Sequence, residues 1–308
     1  MVKQSKMNCN LCPRHCGVDR DIKTGFCGVG TDVVLSRVAP HMWEEPPISG
    51  TKGSGTVFFA GCNLRCRFCQ NYDITIRPHG VAVSVARLAD VFVYLSDSGM
   101  ANINLVTAAQ FADKVAAALT LCKHKLTVPV VYNTSGYESV ESIRRFDGLV
   151  DVYLPDLKFC SPSVSKTMAN APDYFAVATA AIAEMKRQQP TNVFDADGYI
   201  RRGLIVRHLV LPAHVEDSKQ VLDWLADFDK DVTVSLMSQY FVARRDDVCA
   251  ELNRKLYPRE YNAVCDYFYN VGLHNGFCQD PSSATVDYLP EFCDDDLAAL
   301  LQRVPNVF

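Results

Sequence analysis

Apolar positions from residue 56 onward alternate between two rhythms, short solid runs and helical stripes. Thr56-Val57-Phe58-Phe59-Ala60 is a solid run beginning after Gly53 and Gly55 and ending at Gly61, and it reads as a buried strand. Val85, Leu88, Phe92 and Leu95 then recur at spacings of 3, 4 and 3, which predicts a helix over 84–97. The alternation continues with a strand over 103–106, a helical face of Phe111, Val115, Leu119 and Cys122, and strands over 128–132 and 149–154. A mostly helical stretch over 163–187, a strand over 204–211, a helical face of Val221, Leu222, Leu225 and Phe228, and a sixth strand over 232–236 follow. Parallel neighbours need a long crossover, and helices of this length supply it. The pattern predicts an α/β fold with a parallel sheet, either a partial barrel or a doubly wound sheet. The last part, 244–308, reads as mainly helical, with Tyr261, Val264, Phe268 and Val271 again at 3, 4 and 3.

Residues 1 to about 45 lack this periodicity and are rich in Cys, Gly and Arg. Such a segment builds no apolar core of its own, so a metal is expected to hold it. Three units follow: a Cys-rich segment over 1–48, a barrel over 49–243 and a helical extension over 244–308. The chain has 48% hydrophobic and 21% charged residues, which excludes global disorder. With 31 basic against 35 acidic residues the net charge is -4, so nucleic acid is not indicated as a partner. No apolar signal core opens the chain, and no apolar run approaches the ~20 residues of a membrane span. The expectation is a cytoplasmic protein with no membrane partner.

Seven of the thirteen cysteines fall in the first 69 residues, at tight spacings that suit metal ligands better than disulfides. Gly61-Cys62-Asn63-Leu64-Arg65-Cys66-Arg67-Phe68-Cys69 follows the first strand with the spacing C-x3-C-x2-C. Three such thiolates can hold three corners of a cubane iron–sulfur cluster and leave one iron open. A structural zinc site takes four ligands, and the fourth would have to come from a distant residue. Upstream, Cys9, Cys12, Cys16 and Cys27 give C-x2-C-x3-C-x10-C, which fits either a zinc site or a second iron–sulfur centre. Cys122 is assigned to the core, Cys265 flanks an apolar helical face, and Cys160, Cys249, Cys278 and Cys293 show no partner pattern. Glu44 and Glu45, beside Trp43, either line a substrate mouth or form a solvated pair.

At Cys62, Cys66 and Cys69 the chain resembles the radical S-adenosylmethionine (SAM) superfamily. Within it, the chain is most similar to the pyruvate formate-lyase activating enzyme branch and its PflX-like subgroup. The resemblance runs from about residue 8 to 280. It rests on Trp43 to Gly50, Gly61 to Tyr72, Asn102 to Thr107, Val131 to Tyr137, Tyr153 to Lys158 and Arg207 to Pro212. It implies a partial (β/α)6 barrel, an oxidoreductase activity and a 4Fe–4S cluster on the three cysteines. SAM would chelate the open iron, and one electron would split it into methionine and a 5′-deoxyadenosyl radical that takes a hydrogen atom from the substrate. Phe68 would lie against the adenine, and backbone groups around Val106 and Thr107 would meet the SAM amine. Asn133 and Ser135 could bond the ribose or the carboxylate, and Asp156, Lys158 and Arg207 would lie by SAM. At 108–110 the chain has Ala-Ala-Gln where relatives often carry Pro-Thr-His. Gln110, Gln239 and Tyr240 are candidate substrate contacts.

The resemblance also implies an electron donor such as flavodoxin or ferredoxin. The substrate could be a glycyl-radical enzyme partner, or else a peptide, an RNA or a small molecule. The reading from another class is a non-catalytic metal-binding scaffold.

Overall fold

The structure, a computed structural model, describes residues 9–280 and 290–308. Its strands in chain order are β1 (Val33–His41), β2 (Ser54–Phe59), β3 (Val81–Val83), β4 (Ile103–Val106), β5 (Val130–Thr134), β6 (Val152–Pro155), β7 (Val193–Phe194), β8 (Ile200–Leu209), β9 (Thr233–Met237) and β10 (Gly276–Cys278). The order across the sheet is β10-β9-β8-β6-β5-β4-β2-β1-β3, with β7 paired to β8 off this path. All neighbours from β2 to β10 on this path are parallel. β1 is antiparallel to both β2 and β3, so the α/β sheet is mixed.

The six strands expected from the apolar runs are β2, β4, β5, β6, β8 and β9, and they keep their sequence order across the sheet. Every residue of β2, β4, β5 and β6 is buried, as strands covered on both faces require. Helices Val85–Ser96, Ala112–Cys122 and Val215–Phe228 pack their predicted stripes into the core. Ser84 caps the first of these by accepting from Arg87 N at 3.0 Å. Each buried Leu or Phe of these stripes contributes about 1.5–3 kcal/mol.

Four features depart from the pattern. The stretch 163–187 is two helices, Pro162–Ala169 and Tyr174–Gln188, because Asn170 closes the first in a left-handed conformation (φ 53°) and Pro172 follows. β1 is a strand that the pattern hid, since Ser36, Arg37 and Pro40 interrupt its apolar run. Its register shifts between Leu35 and Arg37, and Pro40 is tolerated near the sheet's border. Val33 and Leu35 are fully buried in the common core, so this part of the N-terminal segment uses the sheet for its burial. In the C-terminal part, helices Pro258–Asn270 and Asp294–Arg303 form, but β10 adds an edge strand. No described helix is long and apolar enough to cross a membrane.

Candidate active site

The loop after β2 starts at a residue that has to be glycine. Gly61 has φ 77°, and a Cβ there would lie 2.4 Å from the Cys27 carbonyl oxygen. The chain then winds through Cys62, Cys66 and Cys69, held from three sides. Cys62 N donates to Cys27 O at 3.2 Å, Asn63 Nδ2 to Tyr137 O at 2.6 Å, and Arg67 N to Met168 O at 2.9 Å. Thr75 Oγ1 lies 3.3 Å from Cys69 Sγ. The three cysteines open into one cavity that Phe68, Val106, Thr107, Asn133, Ser135, Asp156, Lys158, Arg207 and Gln239 also line. Strands β2, β4, β5, β6, β8 and β9 therefore all deliver residues to one place at or just beyond their C-terminal ends.

The polar wall is a buried ion network. Arg207 Nε donates to Asp156 Oδ1 at 2.8 Å and its Nη2 to Asn133 Oδ1 at 2.6 Å. Lys158 Nζ donates to the other Asp156 oxygen. Asp156 and Lys158 sit two apart just past the end of β6, and this bond joins their side chains. Burial pushes Asp156 up, but Arg207 and then Lys158 outweigh it and hold the carboxyl below its usual range. Burial pushes Lys158 down, and Asp156 reverses this so the ammonium is held more firmly than usual. The Tyr174 hydroxyl fixes the backbone here, sharing its one proton between Ser135 O (2.7 Å) and Asp156 O (2.8 Å) and accepting from Lys158 N (2.9 Å).

Two further carboxyls enter from the segment after β1. Glu44 accepts from Asn104 Nδ2 at 2.9 Å, Asn133 Nδ2 at 3.2 Å and Arg207 Nη1 at 3.3 Å. Glu45 lies 3.8 Å from Arg207 with a side chain only 2% exposed. The solvated-pair reading of Glu44 and Glu45 is therefore overturned: Pro46-Pro47-Ile48-Ser49 turns back as a short helix and drives both carboxyls inward. Burial raises the pKa of both, against the pull of Arg207, and pushes Glu45 up to about 7. Local sequence left both readings of this pair open, because the partner Arg207 is more than 160 residues away.

Thr107, the residue after β4, has φ 62°, a strained conformation for a β-branched residue. Gln110 Nε2 holds it, sharing its two protons among Thr107 O (2.8 Å), Ala60 O (2.9 Å) and Gly61 O (3.0 Å). Gln110 is thus turned into the protein behind the cysteine loop and is absent from the cavity wall. Tyr240 is absent as well: its ring is buried and its hydroxyl donates to Leu252 O at 2.6 Å. His41 and Trp43 line the cavity mouth without having been singled out from the sequence. Burial, aided by Arg37, pushes the His41 pKa down and keeps the ring neutral.

Cys9, Cys12, Cys16 and Cys27 lie in a folded segment directly against the cysteine loop. Cys9 N donates to Val18 O (2.9 Å), Gly17 N to Cys9 O (3.1 Å) and Gly28 N to Gly25 O (3.0 Å). Among the described residues, no three His, Cys, Asp or Glu side chains converge as the ligands of a single metal ion do. That holds for this set and for Cys62, Cys66 and Cys69 alike. A cubane is gripped at separate corners, so the cysteines that hold it stand around a volume and need not meet at a point. The three-thiol loop, with its open side facing the Asp156–Lys158–Arg207 wall, fits a cubane and a zwitterionic ligand on its free iron. Burial pushes the Cys66 thiol up to about 12, so these groups ionise only when a cation compensates them.

A sequence model of the Radical SAM superfamily matches residues 56–225. An uncharacterized protein of Methanocaldococcus jannaschii is 28% identical over 283 residues, covering 89% of this chain and 78% of its own. A second uncharacterized protein of that organism is 30% identical over 90 residues, 25% of this chain and 27% of its own. Among solved structures, Streptococcus suis SuiB bound to S-adenosylmethionine is similar with a TM-score of 0.48 and 14% identity, covering 76% of this chain and 52% of SuiB. The chain thus spans about half the length of SuiB. Methylornithine synthase (PylB) is similar with a TM-score of 0.46 and 11% identity, covering 79% of this chain and 78% of its own. The family match extends over more than half of the chain and includes all three cysteines of the loop after β2, so this protein belongs to the radical SAM superfamily.

Proposed function

We propose that this radical SAM enzyme abstracts hydrogen from a glycyl-radical enzyme partner or a related protein substrate, in the manner of the PflX-like activating enzymes. The observation that carries the reading is the single cavity that holds three thiols of one loop beside a buried Arg–Asp–Lys network. Cys62, Cys66 and Cys69 would hold a 4Fe–4S cluster. When bound, the cluster and SAM supply one-electron cleavage to methionine and a 5′-deoxyadenosyl radical, which takes the hydrogen atom. Arg207 and Lys158 would orient the SAM carboxylate, since a guanidinium fork and an ammonium both suit it. Glu44 and Asp156 would face the amine, Phe68 the adenine, and Asn133 and Ser135 the ribose or carboxylate. The Thr107 carbonyl already accepts from Gln110, which leaves Val106 and Glu44 as the better acceptors for the amine. The buried walls exclude water from the reacting centre.

We also read a second metal centre on Cys9, Cys12, Cys16 and Cys27, within the segment 1–48 that precedes a partial barrel over 49–243 and an extension over 244–308. The electron donor would be a flavodoxin or ferredoxin, with no membrane or nucleic acid involved. Trp43, an aromatic at the cavity that is 55% exposed, suits contact with a loop of a protein substrate better than with a free metabolite. The test is anaerobic reconstitution with iron and sulfide, reduction, addition of SAM and detection of 5′-deoxyadenosine. Product that disappears in a Cys62→Ala/Cys66→Ala/Cys69→Ala variant supports the enzyme. An intact reduced cluster with no product and no SAM binding favours a non-catalytic scaffold.

A further inference from the structure

We infer that Cys265 and Cys278 form a dithiol site that small-molecule disulfides oxidise, closing a covalent bridge between helix Pro258–Asn270 and the edge strand β10. The described wall of the catalytic cavity contains neither residue, so the site is separate from the chemistry proposed above.

Contact carries it first. The connection over 271–275 brings the helix straight back onto the sheet. Leu273 N donates to Phe268 O at 3.2 Å, and Val234 N of β9 donates to Asn275 O at 3.0 Å. Cys278, the last residue of β10, then pairs in register with Leu236 of β9. Tyr261, one helical turn before Cys265, donates its hydroxyl to the same residue, Leu236 O, at 2.9 Å. Helix and strand thus converge on one point of β9, and there the Cys265 thiol donates to the Cys278 sulfur.

Thiol chemistry carries it second. Both thiols are half-buried, whereas Cys12, Cys27, Cys122 and Cys249 are buried, so a small reagent can reach the pair. Among the described residues no third His, Cys, Asp or Glu joins them as a metal ion would need. The shared bond keeps the Cys265 proton in place, and burial acts the same way, so its pKa rises. The same bond lowers the pKa of Cys278 against the pull of burial, and Tyr261 and Tyr269 add to the effect. Cys278 therefore ionises first. A thiolate beside a second, protonated thiol is the arrangement that thiol–disulfide exchange uses.

Position gives the bridge a consequence. β10 is three residues long and lies at the border of the sheet. Directly after it, Gln279 N donates to Leu236 O at 3.0 Å. Ser238 Oγ shares its proton between Gln279 O (3.3 Å) and Asp280 O (3.1 Å), next to Gln239 of the cavity wall. A disulfide ties this lightly held edge to the helix and slows its opening.

The exchange balances in two steps. The Cys278 thiolate attacks one sulfur of the small disulfide, a mixed disulfide forms, and the other sulfur leaves as a thiolate. The Cys265 sulfur gives up its proton and attacks the Cys278 sulfur, and the second small thiolate leaves. The protein dithiol loses two electrons and two protons, and the small disulfide gains them as two thiols.

The test uses the full chain with its iron–sulfur cluster reconstituted anaerobically, and glutathione disulfide as the probe. Remaining thiols are alkylated in denaturant, and the digest is read by mass spectrometry. Wild-type protein should yield the Cys265 and Cys278 peptides linked and two hydrogens lighter than the pair of free thiols, with dithiothreitol reversing the link and Cys122 recovered as a thiol. Cys265→Ser should trap a glutathione adduct on Cys278. Cys278→Ser should form its adduct on Cys265 at least about tenfold more slowly. Amide exchange over 271–280 should slow about tenfold in the oxidised protein. Recovery of both cysteines as free thiols after excess glutathione disulfide, or linkage of either to a different cysteine, overturns the inference. The wild-type peptide map requires no variant, so a misfolded variant leaves it decisive. Failure of the catalytic reading shows elsewhere, as absence of 5′-deoxyadenosine from reduced protein that was never exposed to the probe.

Discussion

The two cysteine loops touch, yet they are built in opposite ways. The loop at 62–69 grows out of β2, whose residues are all buried, and inherits its geometry from the sheet. Its neighbours are mostly the ends of the strands and helices around the cavity, with the 9–27 segment on one side, where Cys62 N donates to Cys27 O. The loop at 9–27 contains no strand or helix, and it leans on a few backbone bonds and on arginines stacked over Phe26 and Phe111. A metal on the first loop spends its binding on chemistry, while a metal on the second must also supply folding free energy.

Cysteine replacement should expose this difference most strongly. Cys62→Ala/Cys66→Ala/Cys69→Ala should abolish 5′-deoxyadenosine formation, a loss on the order of a thousandfold or more. Its melting temperature should stay within a few degrees of wild type. Cys9→Ala/Cys12→Ala/Cys16→Ala should instead lose hydrogen-exchange protection over residues 9–32, with the strands of the sheet still protected. Equal loss of protection in both variants would refute the contrast. Next comes Arg207→Met, which removes the cation that Asp156, Glu44 and Glu45 share. Calorimetry should read SAM affinity reduced by about 100-fold with iron content unchanged, because the guanidinium acts on the ligand wall and not on the cluster.

A smaller effect belongs to the seam between the loops. Gly61→Ala places a Cβ 2.4 Å from Cys27 O and asks for a left-handed backbone. It should cost about 1–3 kcal/mol in denaturant unfolding and lower the metal retained at both loops. Loss confined to one loop would show that the Cys27–Cys62 bond does not couple them.

Much of the scaffold could be read from local pattern, because a buried parallel strand is a solid apolar run and its crossover helix has a 3–4 stripe. β2, β4, β5, β6, β8 and β9 all followed from that rule. β1 did not, since a bulge and Pro40 break its run and antiparallel pairing to β2 defines it. In the site, the cysteines stood out through short spacing, and Asp156 and Lys158 only through the family resemblance. Glu44 and Glu45 were legible only as a pair open to two readings, and Tyr174 not at all, because what fixes them is distant in sequence: Arg207 for the glutamates, and the strand ends at Ser135 and Asp156 for Tyr174. Gln110 shows the reverse error. Its place in the chain suggested a substrate contact, and three backbone carbonyls turn it inward.

The smallest predicted effect concerns protons at this wall. Glu44, Glu45 and Asp156 face Lys158 and Arg207, three carboxyls against two cations. Asp156 is held ionised by both cations, so the spare proton falls to the glutamate pair. Burial lifts Glu45 from an ordinary 4.5 to about 7, so folding takes up a proton between those values. Its stabilising contribution is complete below about pH 4.5 and is lost as pH rises through about 7. Wild-type protein should therefore lose on the order of 1–2 kcal/mol between pH 5 and 8 relative to Glu45→Gln, measured by denaturant titration at each pH. Glu138, also raised to about 7 by burial, is present in both proteins and cancels in that difference. The polar wall faces the cavity, so a cationic ligand there should draw the proton off. Calorimetry of SAM binding at pH 6.5 in two buffers of different ionisation enthalpy should then show release of up to about one proton, and Glu45→Gln should reduce it. Identical heats in the two buffers would mean that the glutamate pair is already ionised before the ligand arrives.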